Sequence, residues 1–165
     1  MKKVIYTAIF NNYDYLRVPK YVNEDFDYVL FLDEQTKTEQ KIKESSFWDI
    51  RIIKGISNQL EGEIKAKDIK VNPQKYLSEY DQSIYIDGSF VQIGNANEFL
   101  NATKKSFIMC THPRRQCAYE EATICSKQRL GNMKRLEMQF NKYKLEGFPR
   151  NLGLYMGGII GRKHN

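Results

Sequence analysis

Ser83-Ile84-Tyr85-Ile86-Asp87-Gly88-Ser89 is a short β-forming run that stops on a carboxylate followed by glycine, and Tyr28-Val29-Leu30-Phe31-Leu32-Asp33 also stops on a carboxylate. The second run is apolar at every position before its aspartate, the pattern of a strand buried on both faces. Outward from these two, Lys2–Ala8 reads as a first strand on the β-formers Val4, Ile5 and Tyr6, closed by the turn signal Asn11-Asn12. Trp48–Ile53 is a further strand, with Ile50, Ile52 and Ile53 as its apolar positions. Phe107-Ile108-Met109-Cys110 is another, stopped by His112-Pro113 because proline disfavours helix in the residue before it. Helical patterns fill Asn97–Lys104, Cys117–Leu130 and Met133–Glu146, with the stop-and-start signal Gly131-Asn132 between the last two. In the last helix Met133, Leu136, Phe140 and Tyr143 form one apolar stripe. Leu152–Ile160, apolar and glycine-rich, reads as strand and turn. Strands alternating with helices predict an α/β sheet covered on both faces, as a single domain over residues 1–165.

Composition narrows the class. A chain of 165 residues that is 41% hydrophobic and 28% charged is ordinary globular material, which excludes disorder and fibrous repeats. No apolar run approaches the ~20 residues of a membrane-spanning helix. The apolar stretch after Met1-Lys2-Lys3 breaks at Asn11-Asn12 without a small-residue cleavage site, so it reads as strand rather than signal peptide. Cys110, Cys117 and Cys125 are odd in number and lack C-x-x-C spacing, which suggests buried reduced thiols rather than a disulfide framework or a zinc knuckle. The net charge of +6 suits nucleic acid, an anionic membrane surface or a phosphorylated small substrate equally. Basic residues dispersed among acidic ones, with no motif that reads DNA or RNA, set nucleic acid aside.

Ligands of open α/β sheets sit beyond the carboxyl ends of the strands, where Asp33 and Asp87 both fall. A carboxylate there can hold Mg²⁺ or Mn²⁺, ions that prefer oxygen ligands and usually also bind substrate phosphates. Equally, each aspartate can cap the turn that follows it through its own backbone.

Further blocks of sequence resemble one family. Tyr76-Leu77-Ser78-Glu79-Tyr80-Asp81-Gln82 leads into the Ser83–Ser89 run as in the central motif of a glycosyltransferase-like family that includes plant turgor-regulation and mucilage-related proteins and bacterial relatives in polysaccharide loci. Val4-Ile5-Tyr6-Thr7-Ala8-Ile9-Phe10-Asn11-Asn12-Tyr13-Asp14 is similar to the family's opening, and His112-Pro113-Arg114-Arg115-Gln116-Cys117-Ala118-Tyr119-Glu120-Glu121-Ala122 to its most distinctive stretch. Gly147-Phe148-Pro149 and the closing Ile160-Gly161-Arg162-Lys163-His164-Asn165 also fit, and all blocks stand in the family's order.

The resemblance implies a GT-A-like, Rossmann-type mixed and mostly parallel sheet that binds a nucleotide-activated sugar. It puts Asp87 at the first position of the strand-end Asp-x-Asp motif, with Gly88 and Ser89 completing it, and makes Asp87, Ser89 and the late His164 the expected metal set. Ser89 departs from the second carboxylate often found there. By the same analogy Thr7, Ala8 and Asp33 are expected to grip base and ribose, and Lys67, Lys70 and Arg114 to meet the donor phosphates. The segment Pro73-Gln74-Lys75 lacks the histidine usual in the family, and the two lysines also read as solvated residues of a helix face. For the chemistry, Asp87, His112, Glu120 and Glu121 are the candidate catalytic groups; a carboxylate or histidine must take the acceptor hydroxyl's proton if the anomeric centre inverts. Glu120 and Glu121 also suit the first turn of a helix through its dipole, and point about 100° apart, so at most one faces a given site. Tyr13, Tyr15, Tyr85 and Tyr119 are candidate stacking rings, and Gly157-Gly158 either a close backbone approach or a turn. The expected activity is sugar transfer from a nucleotide-sugar donor, with Mn²⁺ or Mg²⁺ at the diphosphate, to a glycan or lipid-linked glycan acceptor. The expected setting is bacterial capsule or other surface polysaccharide synthesis in the cytoplasm, peripheral to the inner membrane. The alternative is a non-catalytic nucleotide-sugar or glycan-binding domain, an alternative kept open because the family's usual C-terminal continuation is missing or reduced in 165 residues.

Overall fold

Alternation along β1 (Lys3–Ile9) sends Val4, Tyr6 and Ala8 to one face of a sheet and Ile5, Thr7 and Ile9 to the other. The structure, a computed structural model, describes residues 1–43, 47–128 and 132–164. By its internal contacts the chain forms two compact units, Met1–Ile108 with Gly158–Asn165, and Met109–Gly157. The elements after β1 are β2 (Asp27–Leu32), α1 (Glu34–Glu39), β3 (Asp49–Ile52), α2 (Gln59–Val71), a single 3-10 turn (Pro73–Lys75) and β4 (Gln82–Ile86). Then come α3 (Ala96–Asn101), β5 (Phe107–Thr111), α4 (Ala118–Lys127), α5 (Met133–Leu145) and β6 (Tyr155–Lys163). The sheet order is β3-β2-β1-β4-β6-β5. β1 runs parallel to β2 and β4, β2 parallel to β3, and β6 lies antiparallel to β4. This is the α/β sheet that the strand pattern predicts, with the mixed, mostly parallel pairing that the resemblance implies.

Register pairs Ile5 with Tyr28 and Ile84, and Ile9 with Leu32, so one face of the sheet is apolar and mostly aliphatic. Leu100 and Ala96 of α3 and Ile108 of β5 close over that face, and Trp48 and Phe26 join the same cluster. Fully burying a Leu or Ile contributes about 1.5–3 kcal/mol, so these positions dominate the stability of the first unit. The other face carries Tyr6, Tyr85 and Phe31 and is covered by α2, where Ile69 is fully buried and Tyr6 donates to the Lys70 carbonyl at 3.3 Å. Helices thus cover both faces. α1 has no counterpart in the sequence reading above and α2 appears there only as the helix face of Lys67 and Lys70, because only Thr36 in α1 and only Gly62 and Ile69 in α2 are buried, too few to make an apolar stripe. The helix expected to end at Leu130 ends at Lys127; Leu130 and Gly131 lie outside the described residues, as does Asn165 of the closing block.

Candidate functional site

In the first unit, period two places Ser83, Tyr85 and Asp87 on the face covered by α2, beside Ala8 of β1. A cavity of about 160 Å³ opens there, past the carboxyl ends of β1 and β4. Ala8, Tyr13 and Asp14 line one side, Glu63, Lys67 and Lys70 of α2 another, with Tyr85 and Asp87 at the base. Lys70 Nζ lies 3.1 Å from Asp87 Oδ1 and 4.7 Å from the centre of the Tyr85 ring, so ring and carboxylate fix the ammonium together. The Tyr85 hydroxyl lies within hydrogen-bonding reach of Asp87, and its pKa is pushed up by burial and then by the Asp87 charge. Lys67, exposed on the cavity wall, has no ion-pair partner among the described residues.

Close backbone approach shapes the carboxylate's surroundings. The Asp87 N–H donates to the Gly158 carbonyl at 2.9 Å, and a Cβ on Gly158 would stand 3.3 Å from Asp87 Oδ2. Gly158 lies inside β6 rather than in a turn, and its close neighbours are Phe90 and Asp87. A Cβ on Gly88 would stand 2.8 Å from Asp14 Cβ, so glycine at 88 lets the loop after β1 bring Asp14 toward Asp87. That loop turns through Asn11 and Asn12 at φ 50° and 52°, a left-handed geometry asparagine tolerates better than most residues. Burial, and after it the Asp87 charge, raises the Asp14 carboxyl above the usual carboxylate range.

Several expected site residues are placed elsewhere. Asp33 is 5% exposed, and its carboxylate accepts from Thr36 N at 2.7 Å, Thr36 Oγ1 at 3.1 Å and Asn11 N at 2.6 Å. It caps α1 and anchors the Asn11 turn, the capping alternative. Thr7 faces away from Ala8 by strand alternation, toward Gly88 and Phe90 on the opposite face, where its buried hydroxyl has no hydrogen-bond partner among the described residues. Ser89 is exposed and outside the cavity wall. His164 Nε2 lies 2.8 Å from Ser83 Oγ and Nδ1 2.9 Å from the Tyr80 carbonyl. These contacts hold it at the start of β4, the end opposite Asp87, so it does not join a metal set with Asp87. Among the described residues no three His, Cys, Asp or Glu side chains gather around one point. What the protein does offer an ion is the Asp14–Asp87 carboxylate pair, hard oxygen donors that suit Mg²⁺ or Mn²⁺ when phosphate and water supply the remaining ligands.

The second unit holds His112, Arg114, Glu120 and Glu121. His112 Nδ1 accepts from the N–H groups of Arg114 and Arg115 at 3.2 and 3.0 Å, which locks the ring in its turn. Arg115 forms an ion pair with Glu121, whose other oxygen accepts from Cys125 Sγ at 3.7 Å, and His112 Nε2 stands 3.9 Å from the same carboxylate. Glu120, one position earlier, is exposed and lines a different groove between α4 and α5. The adjacent glutamates thus serve separate surroundings, as helix geometry requires. Arg114 is exposed. Asp14 and Glu63 are the cavity residues the sequence reading does not single out. A helical recurrence signals the second: Glu63, Lys67 and Lys70 fall on one face at i, i+4 and i+7.

The mixed α/β sheet thus carries lysines and carboxylates around a cavity at its strand ends. The chain belongs to the TOD1/MUCI70, glycosyltransferase-like domain family, whose profile matches residues 1–152. No curated protein matches the sequence. In fold the chain is similar to the crystal structure of mouse xyloside xylosyltransferase 1 in its apo form, with a TM-score of 0.50 at 10% identity. The likeness covers 98% of this chain and 66% of that one, just under two thirds of its length.

Proposed function

We propose that this chain is a glycosyltransferase that holds a nucleotide-sugar donor in the cavity between α2 and the ends of β1 and β4. One observation carries the reading: Lys67 and Lys70 stand on one helix face opposite the Asp87–Asp14 carboxylates, cations and oxygen donors arranged around a cavity of about 160 Å³. A diphosphate entering there meets Lys67 without competition from another anion, while Lys70 can exchange Asp87 for phosphate oxygen. As the sugar's bond to the diphosphate breaks, charge grows on the leaving oxygen, and fixed ammonium groups lower that barrier without reorganising. A divalent ion held by Asp87 and Asp14 supplies further neutralisation of the same charge when bound. Tyr13, 65% exposed at the cavity wall, presents a ring on which a base can stack. The family supports a glycan or lipid-linked glycan acceptor, and assembly of a bacterial surface polysaccharide from the cytoplasmic side of the inner membrane is the setting that fits it.

Thermal-shift screening against UDP-, GDP- and CMP-sugars, with and without Mn²⁺, tests the reading. A donor at one hundred times its Kd stabilises by about 2.7 kcal/mol, and each kcal/mol raises Tm by roughly 2–4 °C in a chain of this size. The expected result is a shift of that order with one base, reduced in Lys70→Ala and Asp87→Ala. No shift with any donor at millimolar concentration overturns it. Donor stabilisation without transfer to any glycan acceptor would instead support the binding-only alternative.

A further inference from the structure

The second unit carries most of the chain's net charge: residues 109–157 hold nine Lys or Arg against four Glu and no Asp, a net +5 of the total +6. Between α4 and α5 lies an open groove of about 710 Å³. Tyr119 forms its floor, pinned by its hydroxyl donating to the Phe148 carbonyl at 2.9 Å. The Phe140 ring meets it edge-on at 5.8 Å, and the Arg150 guanidinium sits 5.1 Å from its centroid. Lys127 and Lys144 border the groove with Arg150, and among the described residues none of the three forms an ion pair. Glu120 and Glu137 share the rim and are likewise without ion-pair partners there, so the groove holds opposite charges too far apart to satisfy one another. No residue of α5 is buried, which leaves the Leu136 and Phe140 stripe half-covered along this groove.

We infer that the α4–α5 groove is a binding site for an acidic oligosaccharide. Arg150, Lys144 and Lys127 meet its carboxylates, Phe140 packs on the apolar face of a pyranose ring, and Glu120 and Glu137 accept from its hydroxyls. Aromatic floor and mixed polar rim are what a sugar chain needs, since each pyranose has one apolar face and an equatorial ring of hydroxyls. Charge complementarity selects the acidic class, because the surplus of cations on this unit repels a cationic ligand and gains nothing from a neutral one. A concave groove favours a threaded chain over a bilayer, which engages flat or convex surfaces. That the ligand is a saccharide rests on the glycosyltransferase reading; the position and charge of the site do not.

The test is isothermal titration of the full chain at ~0.1 M salt, where exposed charges are largely screened beyond about 10 Å, with hyaluronan hexasaccharide as the acidic probe and chitohexaose as its neutral counterpart. The acidic probe is expected to bind at least tenfold more tightly. Arg150→Ala and Lys144→Ala should each weaken it about fivefold, as loss of an exposed ion pair at the upper end of its usual worth does, while Lys134→Ala, outside the groove, leaves it unchanged. Equal affinity for the two probes, an Arg150→Ala titration identical to wild type, or equal binding of tripolyphosphate would each overturn the inference. So would Arg150-dependent capture by phosphatidylglycerol vesicles in place of saccharide binding. Donor-induced thermal shifts in the same variants keep the two readings apart. A retained donor shift without saccharide binding defeats the groove alone, and saccharide binding without any donor response defeats the donor site alone.

Discussion

Gly88→Ala is the sharpest probe of how the cavity is built. Gly88 has an ordinary negative φ, so the backbone accepts alanine and only space decides the outcome. The new methyl would stand 2.8 Å from Asp14 Cβ and 3.0 Å from both Ile9 Cγ1 and Cδ1, against the ~3.5–4.0 Å that carbon atoms prefer. Ile9 is 1% exposed and packed against Leu32, so it cannot yield, and the Asp14 loop must move by the better part of an ångström. Overpacking of this kind costs about 1–3 kcal/mol, offset by about 0.4–1 kcal/mol from the reduced freedom of the unfolded chain. A net loss of roughly 1–2 kcal/mol lowers Tm by roughly 2–8 °C at 2–4 °C per kcal/mol. The displaced carboxyl also becomes less buried and lies farther from the Asp87 charge, so its pKa should fall toward its ordinary value. In the wild type a raised Asp14 pKa means the folded state holds its proton longer than the unfolded state. That penalty is absent at acid pH and grows as pH rises through the carboxylate range, so Gly88→Ala should flatten this part of the stability–pH curve. Differential scanning fluorimetry from pH 3 to 7, with carboxyl-detected NMR titration of Asp14, measures both effects. A variant as stable as wild type with an unmoved Asp14 titration would refute the packing account.

Other perturbations follow from the same contacts. Asp33→Ala removes the cap on α1 and the anchor of the Asn11 turn together, and should cost about 1–3 kcal/mol in urea unfolding, somewhat more than a lone cap. Leu100→Ala opens a cavity beneath α3 and should cost about 2–5 kcal/mol by the same assay. Asp68 is held down at about 2, chiefly by the Tyr76 hydroxyl and then by Asn72. Its contribution to stability is therefore present above the usual carboxylate pKa and lost as pH falls toward about 2. Tyr76→Phe should move the Asp68 midpoint upward in an NMR titration, and an unchanged midpoint would assign the depression to Asn72 and Lys75 instead.

The strands were legible because each is a compact apolar run with a clear stop, and strand-end logic led directly to Asp87. Residues that matter through distant neighbours were not. Asp14 belongs to the site only because Gly88, far along the chain, leaves room for it. The α2 face of Glu63, Lys67 and Lys70 looked like a solvated helix because its polar residues line a cavity rather than open water. Asp33 and Asp87 look alike in sequence, yet Thr36, three residues after the first, turns it into a cap, while Asp87 has Lys70 and Tyr85 beside it. His164 follows the last strand, and the antiparallel direction of β6, which no local pattern reveals, carries it to the wrong end of β4 for metal binding.

That same β6 imposes an order on synthesis. It lies between β4 and β5, yet it leaves the ribosome after both of them, following the 109–157 excursion. Until then β4 presents an open edge and β5 has no neighbour to pair with. The nascent chain can assemble β3-β2-β1-β4 early, but must wait for β6 before Asp87 acquires the Gly158 carbonyl that fixes its backbone. The candidate site is therefore completed only after the whole 109–157 segment has been made.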